Sequence, residues 1–145
     1  MTKKMGWWAS NQATLYFDDC CVPTENMIGV QDKDFIQIMH NFNYERLSLV
    51  AAALGMMKVC FEDSVAWAQE RETFGNRLID HQLIRHKLAN MSAKIDLVQS
   101  NLWAICANIE NGDMPVAEIC KAKFSATKAL EFCASEAMQI LGGAG

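Results

Sequence analysis

The chain has 145 residues, of which 51% are apolar and 21% charged, and its formal net charge is −4. This length and composition are typical of one globular domain with its own core. The acidic balance and the absence of a basic cluster argue against a nucleic-acid binder. No apolar run has the length of a transmembrane helix, and the N-terminal MTKKMGWWAS lacks the apolar segment of a secretory signal.

The first thirty residues differ in pattern from the rest of the chain. Leu15 and Phe17 alternate with more polar neighbours, which is the period of a strand, and Pro23 ends that pattern. One or two strands do not make a stable sheet alone. We therefore interpret this short β segment as the end of a sheet whose other strands lie outside this sequence.

A first long helix is predicted for Asp34–Gly75. Its apolar residues recur three and four positions apart, no proline interrupts it, and Gly55 is its only internal glycine. Asp32 or Asp34 can cap its start and Gly75 can end it. At 1.5 Å per residue such a helix would be roughly 60 Å long.

Two further helices follow with short connections. The second is predicted from about Asp80 to Glu110, where Asn111-Gly112 ends it. The third is predicted from Pro115, a favoured first helical position, to Gly142-Gly143. Short connections make sequential helices antiparallel. The predicted fold is mainly α: an up-down bundle of three long helices, an incomplete four-helix bundle, with a short N-terminal β segment.

Cysteine and histidine spacing does not indicate a metal site. There is no Cys-x-x-Cys pair, and the later cysteines fall within helical patterns. We expect reduced, buried cysteines of a cytoplasmic protein. The histidines are interpreted as structural or surface residues. The residues concerned are Cys20, Cys21, Cys60, Cys106, Cys120, Cys133, His40, His81 and His86.

Glu45, on the first helix, is a candidate general base. Its helical neighbours include Phe42 and Leu49, and an apolar surrounding disfavours the charged carboxylate, which suits a base working near neutral pH. A solvated surface glutamate is the commoner case, and spacing alone favours it. Arg46 is adjacent in sequence, points away from Glu45, and is free to meet an anion.

Two short stretches are candidates for ligand binding. In RETFG, Arg71 either complements the helix dipole or offers paired donors to a phosphate, with Phe74 packing on a ring or sugar. The stretch QILGGAG lacks the GxGxxG order of dinucleotide-binding folds. It is either a helix end or a place where backbone approaches a ligand closely.

The order of these motifs resembles the C-terminal part of the acyl-CoA dehydrogenase family. The resemblance covers nearly all of the chain, and RxTFG and HQxIxHKLAxM are its most specific patterns. It divides the chain into the end of a middle β-domain, 1–30, and a C-terminal helical domain, 31–145. The matching blocks are MGWWASNQATLYFDDCCVPTENMIG, NFNYERLSLVAAALG, ERETFGNRLIDHQLIRHKLANM and EAMQILGGAG.

The resemblance implies an FAD enzyme that removes the α-proton and β-hydride of an acyl-CoA to form trans-2-enoyl-CoA. An electron-transferring flavoprotein would then reoxidise the flavin. In a subset similar to the isovaleryl and long-chain enzymes, the base lies where this chain has YERL, so Glu45 matches the base. Arg46 matches an arginine near the thioester and CoA.

The resemblance also implies a composite cofactor site. Arg71 and Phe74 match residues that reach the FAD pyrophosphate and adenosine across a dimer interface. Gln82, Gln139 and Gly143 match further FAD contacts. Such enzymes are homodimers or homotetramers of fatty acid metabolism, located in the cytoplasm or, in a eukaryote, the mitochondrial matrix.

Several alternatives stay open at this stage. A flavin oxidase could use the same scaffold, and so could a non-catalytic helical assembly module. Most of the implied flavin contacts lie outside these 145 residues. We therefore expect the isolated chain to be inactive and not to retain FAD, and we expect no nucleic-acid partner and no membrane insertion.

Overall fold

The computed structural model describes residues 2–145. It divides into two compact units, one up to Asp34 and one of Phe35–Gly145. In the first unit the described residues form turns, extended backbone and one 3-10 turn at Thr24–Asn26. The strand predicted around Leu15 and Phe17 is not formed, because no neighbouring strand within this unit supplies a hydrogen-bond partner.

The first helix, α1, spans Asp34–Glu70, so its predicted start is confirmed and its end comes earlier than Gly75. Two short strands follow, β1 at Glu72–Thr73 and β2 at Asn76–Arg77, and they pair antiparallel. Phe74 and Gly75 connect them with φ of 53° and 79°. Positive φ at both positions is the pattern of a two-residue hairpin turn, which explains why the helix stops before this glycine.

Helix α2 spans Gln82–Glu110 and helix α3 spans Val116–Leu141. The start of α2 lies two residues beyond the prediction, because Leu78–Asp80 forms a 3-10 turn. Asp80 is not its N-cap. The Asp80 carboxylate instead pairs with the guanidinium groups of Arg77 and Arg85.

The three helices share one core, which confirms the predicted helical bundle. Each helix contributes one buried stripe at helical spacing. The stripe of α3 is rich in alanine, which lets α2 and α3 approach closely. The largest fully buried side chains are Val50, Met57, Ser64, Met91, Ile105, Ile119 and Cys133.

One ion pair joins two different helices. The Lys87 ammonium on α2 contacts the Glu136 carboxylate on α3, and both side chains are about three-quarters buried, with exposed fractions of 24% and 20%. The second pair on α3, Lys128 with Glu131, is exposed and lies within one helix. Of the described ion pairs, Lys87 with Glu136 is therefore the one that joins α2 to α3.

The cysteines differ in burial from the expectation. Only Cys133 is buried, while Cys20, Cys21 and Cys120 are exposed. Burial raises the pKa of the Cys133 thiol. Within residues 2–145 no group of three metal-ligating side chains is placed to hold a metal ion. Across the same residues, no helix has the length and apolarity needed to cross a bilayer.

Candidate functional site

A cleft of about 440 Å³ lies at the end of the bundle where α1 ends. This volume is within the usual range of ligand pockets. The end of α1, the hairpin and the end of α3 all contribute to its walls, so residues far apart in sequence meet there. The lining residues are Trp67, Arg71, Thr73, Leu78, Ile140, Leu141, Gly142, Gly143 and Ala144.

Arg71 occupies a fixed backbone position between α1 and β1. Its N–H donates to the carbonyl of Trp67 at 2.9 Å, and its own carbonyl accepts from the N–H of Leu78 at 2.7 Å. The side chain is exposed, and within residues 2–145 no carboxylate pairs with its guanidinium. Arg71 is thus available to bind an anion in the cleft.

Thr73 and His81 form a side-chain hydrogen bond beside Arg71. Thr73 Oγ1 and His81 Nε2 are 3.1 Å apart, and both residues are half-buried. Sequence reasoning missed this pair, because it interpreted His81 as structural and did not single out Thr73. The predicted helix Asp34–Gly75 included Thr73, so the hairpin that brings Thr73 to His81 was not anticipated.

Gly142 and Gly143 form the opposite wall. Gly142 has φ of 63°, and its N–H caps α3 by donating to the carbonyl of Met138. The positive φ of Gly142 itself favours glycine, whereas a Cβ at Gly143 would meet no atom within 4 Å. The absence of both side chains leaves backbone open toward the cleft.

The other predicted cofactor residues do not line the cleft. Phe74 is 98% exposed at the tip of the hairpin. Gln82 in the first turn of α2 and Gln139 in the last turn of α3 are also exposed. The structure thus brings Arg71 and Gly143 into one cleft and does not place these three side chains in its lining.

The residues present fit a dinucleotide phosphate flanked by a ring. An arginine guanidinium and a threonine hydroxyl are donors suited to phosphate oxygens, and the exposed glycine backbone allows close approach. The remaining walls are apolar. A side chain such as Trp67 or Leu78 suits a flat aromatic base.

Glu45 and Arg46 lie far from this cleft. Asn41 Nδ2 donates to Glu45 Oε1 at 2.6 Å, and Glu45 is exposed. Arg46 Nη1 donates to Asn43 Oδ1 at 3.2 Å, and its guanidinium lies 5.8 Å from the ring centroid of Phe42.

The distance between Glu45 and Arg71 follows from the geometry of α1. Glu45 lies in the first third of the helix and Arg71 directly follows the helix. At 1.5 Å per residue they are roughly 40 Å apart along the axis. The chain therefore carries two candidate sites, one in the first third of α1 and one just beyond its C-terminal end.

Comparison with known proteins identifies the family. The model for "Acyl-CoA dehydrogenase, C-terminal domain" matches residues 35–145. The chain is 31% identical to 2-methylacyl-CoA dehydrogenase of Solanum tuberosum, covering 98% of this chain and 34% of the relative. It is 30% identical to isovaleryl-CoA dehydrogenase of Oryza sativa subsp. japonica, covering 98% and 35%.

Solved structures show the same relationship. Butyryl-CoA dehydrogenase from Megasphaera elsdenii superimposes with a TM-score of 0.82 at 30% identity, covering 84% of this chain and 32% of that chain. The chain spans about one third of the length of the curated relatives it matches. It belongs to the acyl-CoA dehydrogenase family and represents that family's C-terminal helical portion.

Proposed function

We propose that the chain is the C-terminal part of an FAD-dependent acyl-CoA dehydrogenase that converts an acyl-CoA to trans-2-enoyl-CoA. In this proposal residues 1–30 end a middle β-domain and 31–145 form the helical domain. An electron-transferring flavoprotein accepts the electrons. The observation that carries the proposal is the cleft in which Arg71 meets Gly143, because its donors and apolar walls fit a dinucleotide.

The cofactor side of the proposal assigns a role to each residue around the cleft. Arg71 binds the pyrophosphate, and the Gly143 backbone lets the nucleotide approach α3. Phe74, Gln82 and Gln139 extend the contacts to the adenosine around the cleft. FAD, when bound, supplies the acceptor for the hydride that leaves the β-carbon.

The substrate side is assigned to the first third of α1. Glu45 takes the α-proton of the acyl-CoA thioester. The amide of Asn41 holds Oε1 and so orients the carboxylate, which leaves Oε2 to face the substrate. Arg46, held by Asn43, meets the thioester and CoA end as a cation.

The distance between the two sites supports an oligomer. A separation of roughly 40 Å is too large for Glu45 and Arg71 to serve one reacting centre. Each subunit therefore contributes its base to one active site and its arginine to the FAD of a partner, in a homodimer or homotetramer. The isolated chain, with only part of each site, is inactive and does not retain FAD. We place the enzyme in the cytoplasm or, in a eukaryote, the mitochondrial matrix.

The test uses the complete polypeptide that carries this chain. We expect a bound yellow flavin whose visible absorbance is bleached when one of a panel of acyl-CoAs is added anaerobically. A colourless protein that FAD cannot reconstitute would refute the enzyme and favour a helical assembly module. Hydrogen peroxide formed from acyl-CoA without another acceptor would identify an oxidase on the same scaffold.

Glu45→Gln tests the base directly. General bases contribute about 10²–10⁴-fold, so flavin reduction should slow by that factor while FAD stays bound. Glu62→Gln is the matched control, because Glu62 is an exposed glutamate on the same helix. Equal rates in the two variants would remove Glu45 from the mechanism.

A further inference from the structure

We propose that His81 is a positioning residue that directs the Thr73 hydroxyl in the cleft and thereby makes the affinity for the FAD pyrophosphate depend on pH. This inference rests on the proposed function, because it concerns the same cleft. It assigns roles to Thr73 and His81, which the predicted site did not include.

The backbone of His81 is held on both sides by hydrogen bonds, and its ring has one described side-chain partner, Thr73. The His81 N–H donates to the carbonyl of Leu78 at 3.2 Å. The His81 carbonyl accepts from the N–H groups of Ile84 and Arg85 at 3.1 and 3.2 Å, because His81 directly precedes α2. Nε2 of the ring lies 3.1 Å from Thr73 Oγ1, across the connection from the hairpin to α2.

Thr73 stands on the cleft wall beside Arg71, so its hydroxyl can reach the anion that Arg71 binds. A hydroxyl has one hydrogen to donate. If Nε2 of a neutral His81 is an acceptor, that hydrogen points to the ring, and only oxygen lone pairs face the phosphate. If Nε2 carries a hydrogen, the hydroxyl accepts from the ring and donates its own hydrogen to the phosphate.

Acid favours the second arrangement. Both nitrogens of a protonated imidazole are donors, so Nε2 then always carries a hydrogen. An extra cation before the N-terminus of α2 is unfavourable in the absence of an anion, since the helix dipole is positive there. A bound pyrophosphate offsets that cost. Proton uptake by His81 and anion binding in the cleft therefore support each other.

The charged groups around the pair are consistent with this coupling. On the hairpin side, Glu72 and Arg71 flank the pair in sequence. Asp80 precedes His81, but its carboxylate is held by Arg77 and Arg85 and so is not available as a partner for the ring. The end of α3 that faces the cleft contributes glycine, alanine and aliphatic residues with no charge. Glu72 stands opposite Arg77 across the hairpin, so the anions that remain near the pair are its carboxylate and a bound pyrophosphate.

The experiment measures FAD affinity in the complete polypeptide. The flavin is removed, and the dissociation constant of FAD is measured by fluorescence quenching between pH 5.5 and 8.0, the range in which imidazole changes charge. One hydrogen bond to a charged group is worth about tenfold in affinity. We expect wild-type affinity to fall about tenfold as the pH rises, with proton uptake on FAD binding in the part of this range where the affinity changes.

Four variants separate the explanations. Thr73→Val should weaken binding about tenfold at acid pH and remove the pH dependence, while Thr73→Ser should restore both. His81→Gln should also remove the dependence, since its amide N–H is a donor at every pH. His86→Gln is the control, because His86 is an exposed histidine of α2 outside the cleft.

Three results would overturn the inference, and the first two come from the variants. One is a pH dependence that persists in His81→Gln. The second is a set of variants with lower melting temperatures but unchanged FAD affinity, which would show a purely structural role. If the polypeptide binds FAD and is bleached by acyl-CoA but shows no such pH dependence, the inference alone fails. If no variant and no wild-type protein binds FAD, the proposed function fails with it.

Discussion

Met57 provides a direct test of the packing of the three helices. The Met57 side chain of α1 is completely buried, whereas the adjacent Met56, about 100° further around the same helix, is 41% exposed. Met57→Ala removes three heavy atoms from the core and leaves a cavity, which costs about 2–5 kcal/mol of unfolding free energy. Met56→Ala makes the same chemical change where no cavity forms, so its effect should stay within about 0.5 kcal/mol.

The assay is denaturant unfolding of the 145-residue chain followed by circular dichroism at a helical wavelength. For a chain of this size, the Met57 variant should also melt about 6–15 °C lower than wild type. Equal losses in the two variants would mean that α1 does not present Met57 to α2 and α3. A large loss at Met56 alone would mean that α1 is rotated from the orientation described.

Three further predictions concern charge and backbone. Lys87→Met breaks the partly buried ion pair between helices and should cost about 1–3 kcal/mol in denaturant unfolding, whereas Lys128→Met should cost less than about 0.5 kcal/mol. Gly75→Ala forces a Cβ into positive φ and should cost about 1–2 kcal/mol, while Gly55→Ala, within a helix with open space around it, should stabilise by about 0.5–1 kcal/mol. Neighbouring arginines hold the pKa of the Asp80 carboxyl below its ordinary value, so its contribution to stability is complete above about pH 4 and is lost as the pH falls through the lowered pKa. Urea unfolding at pH 5 and pH 2.5 should therefore show a smaller acid loss in Asp80→Asn than in wild type.

The helices were predictable because each buries one stripe of apolar residues at a regular spacing. The start of α1 at Asp34 follows from that pattern and a capping residue. The end of α1 does not follow from the apolar pattern. The hairpin at 72–77 depends on the left-handed backbone of Phe74 and Gly75 rather than on the spacing of apolar residues. The prediction of a strand near Leu15 was wrong for a related reason. An alternating pattern indicates that a segment can form a strand, but it does not identify a second strand with which to pair.

The candidate site was predictable only in part. Resemblance pointed to Arg71 and Gly143, which the structure then placed in one cleft. Spacing alone could not bring them together, because their meeting depends on how α1 and α3 end at the same side of the bundle. The hydrogen bond of Thr73 with His81 was missed because a tight turn sets it, and neither residue carries a distinctive motif of its own.

The length of α1 restricts which kinds of mutation this protein can tolerate. Between Glu45 and the end of the helix the chain is continuous α-helix. Deleting one residue there would shift one end by 1.5 Å and turn it by about 100° relative to the other. Substitutions at the exposed positions of this stretch leave that relation intact, but insertions and deletions of one residue do not. The stretch should therefore tolerate many changes of side chain while keeping its residue count.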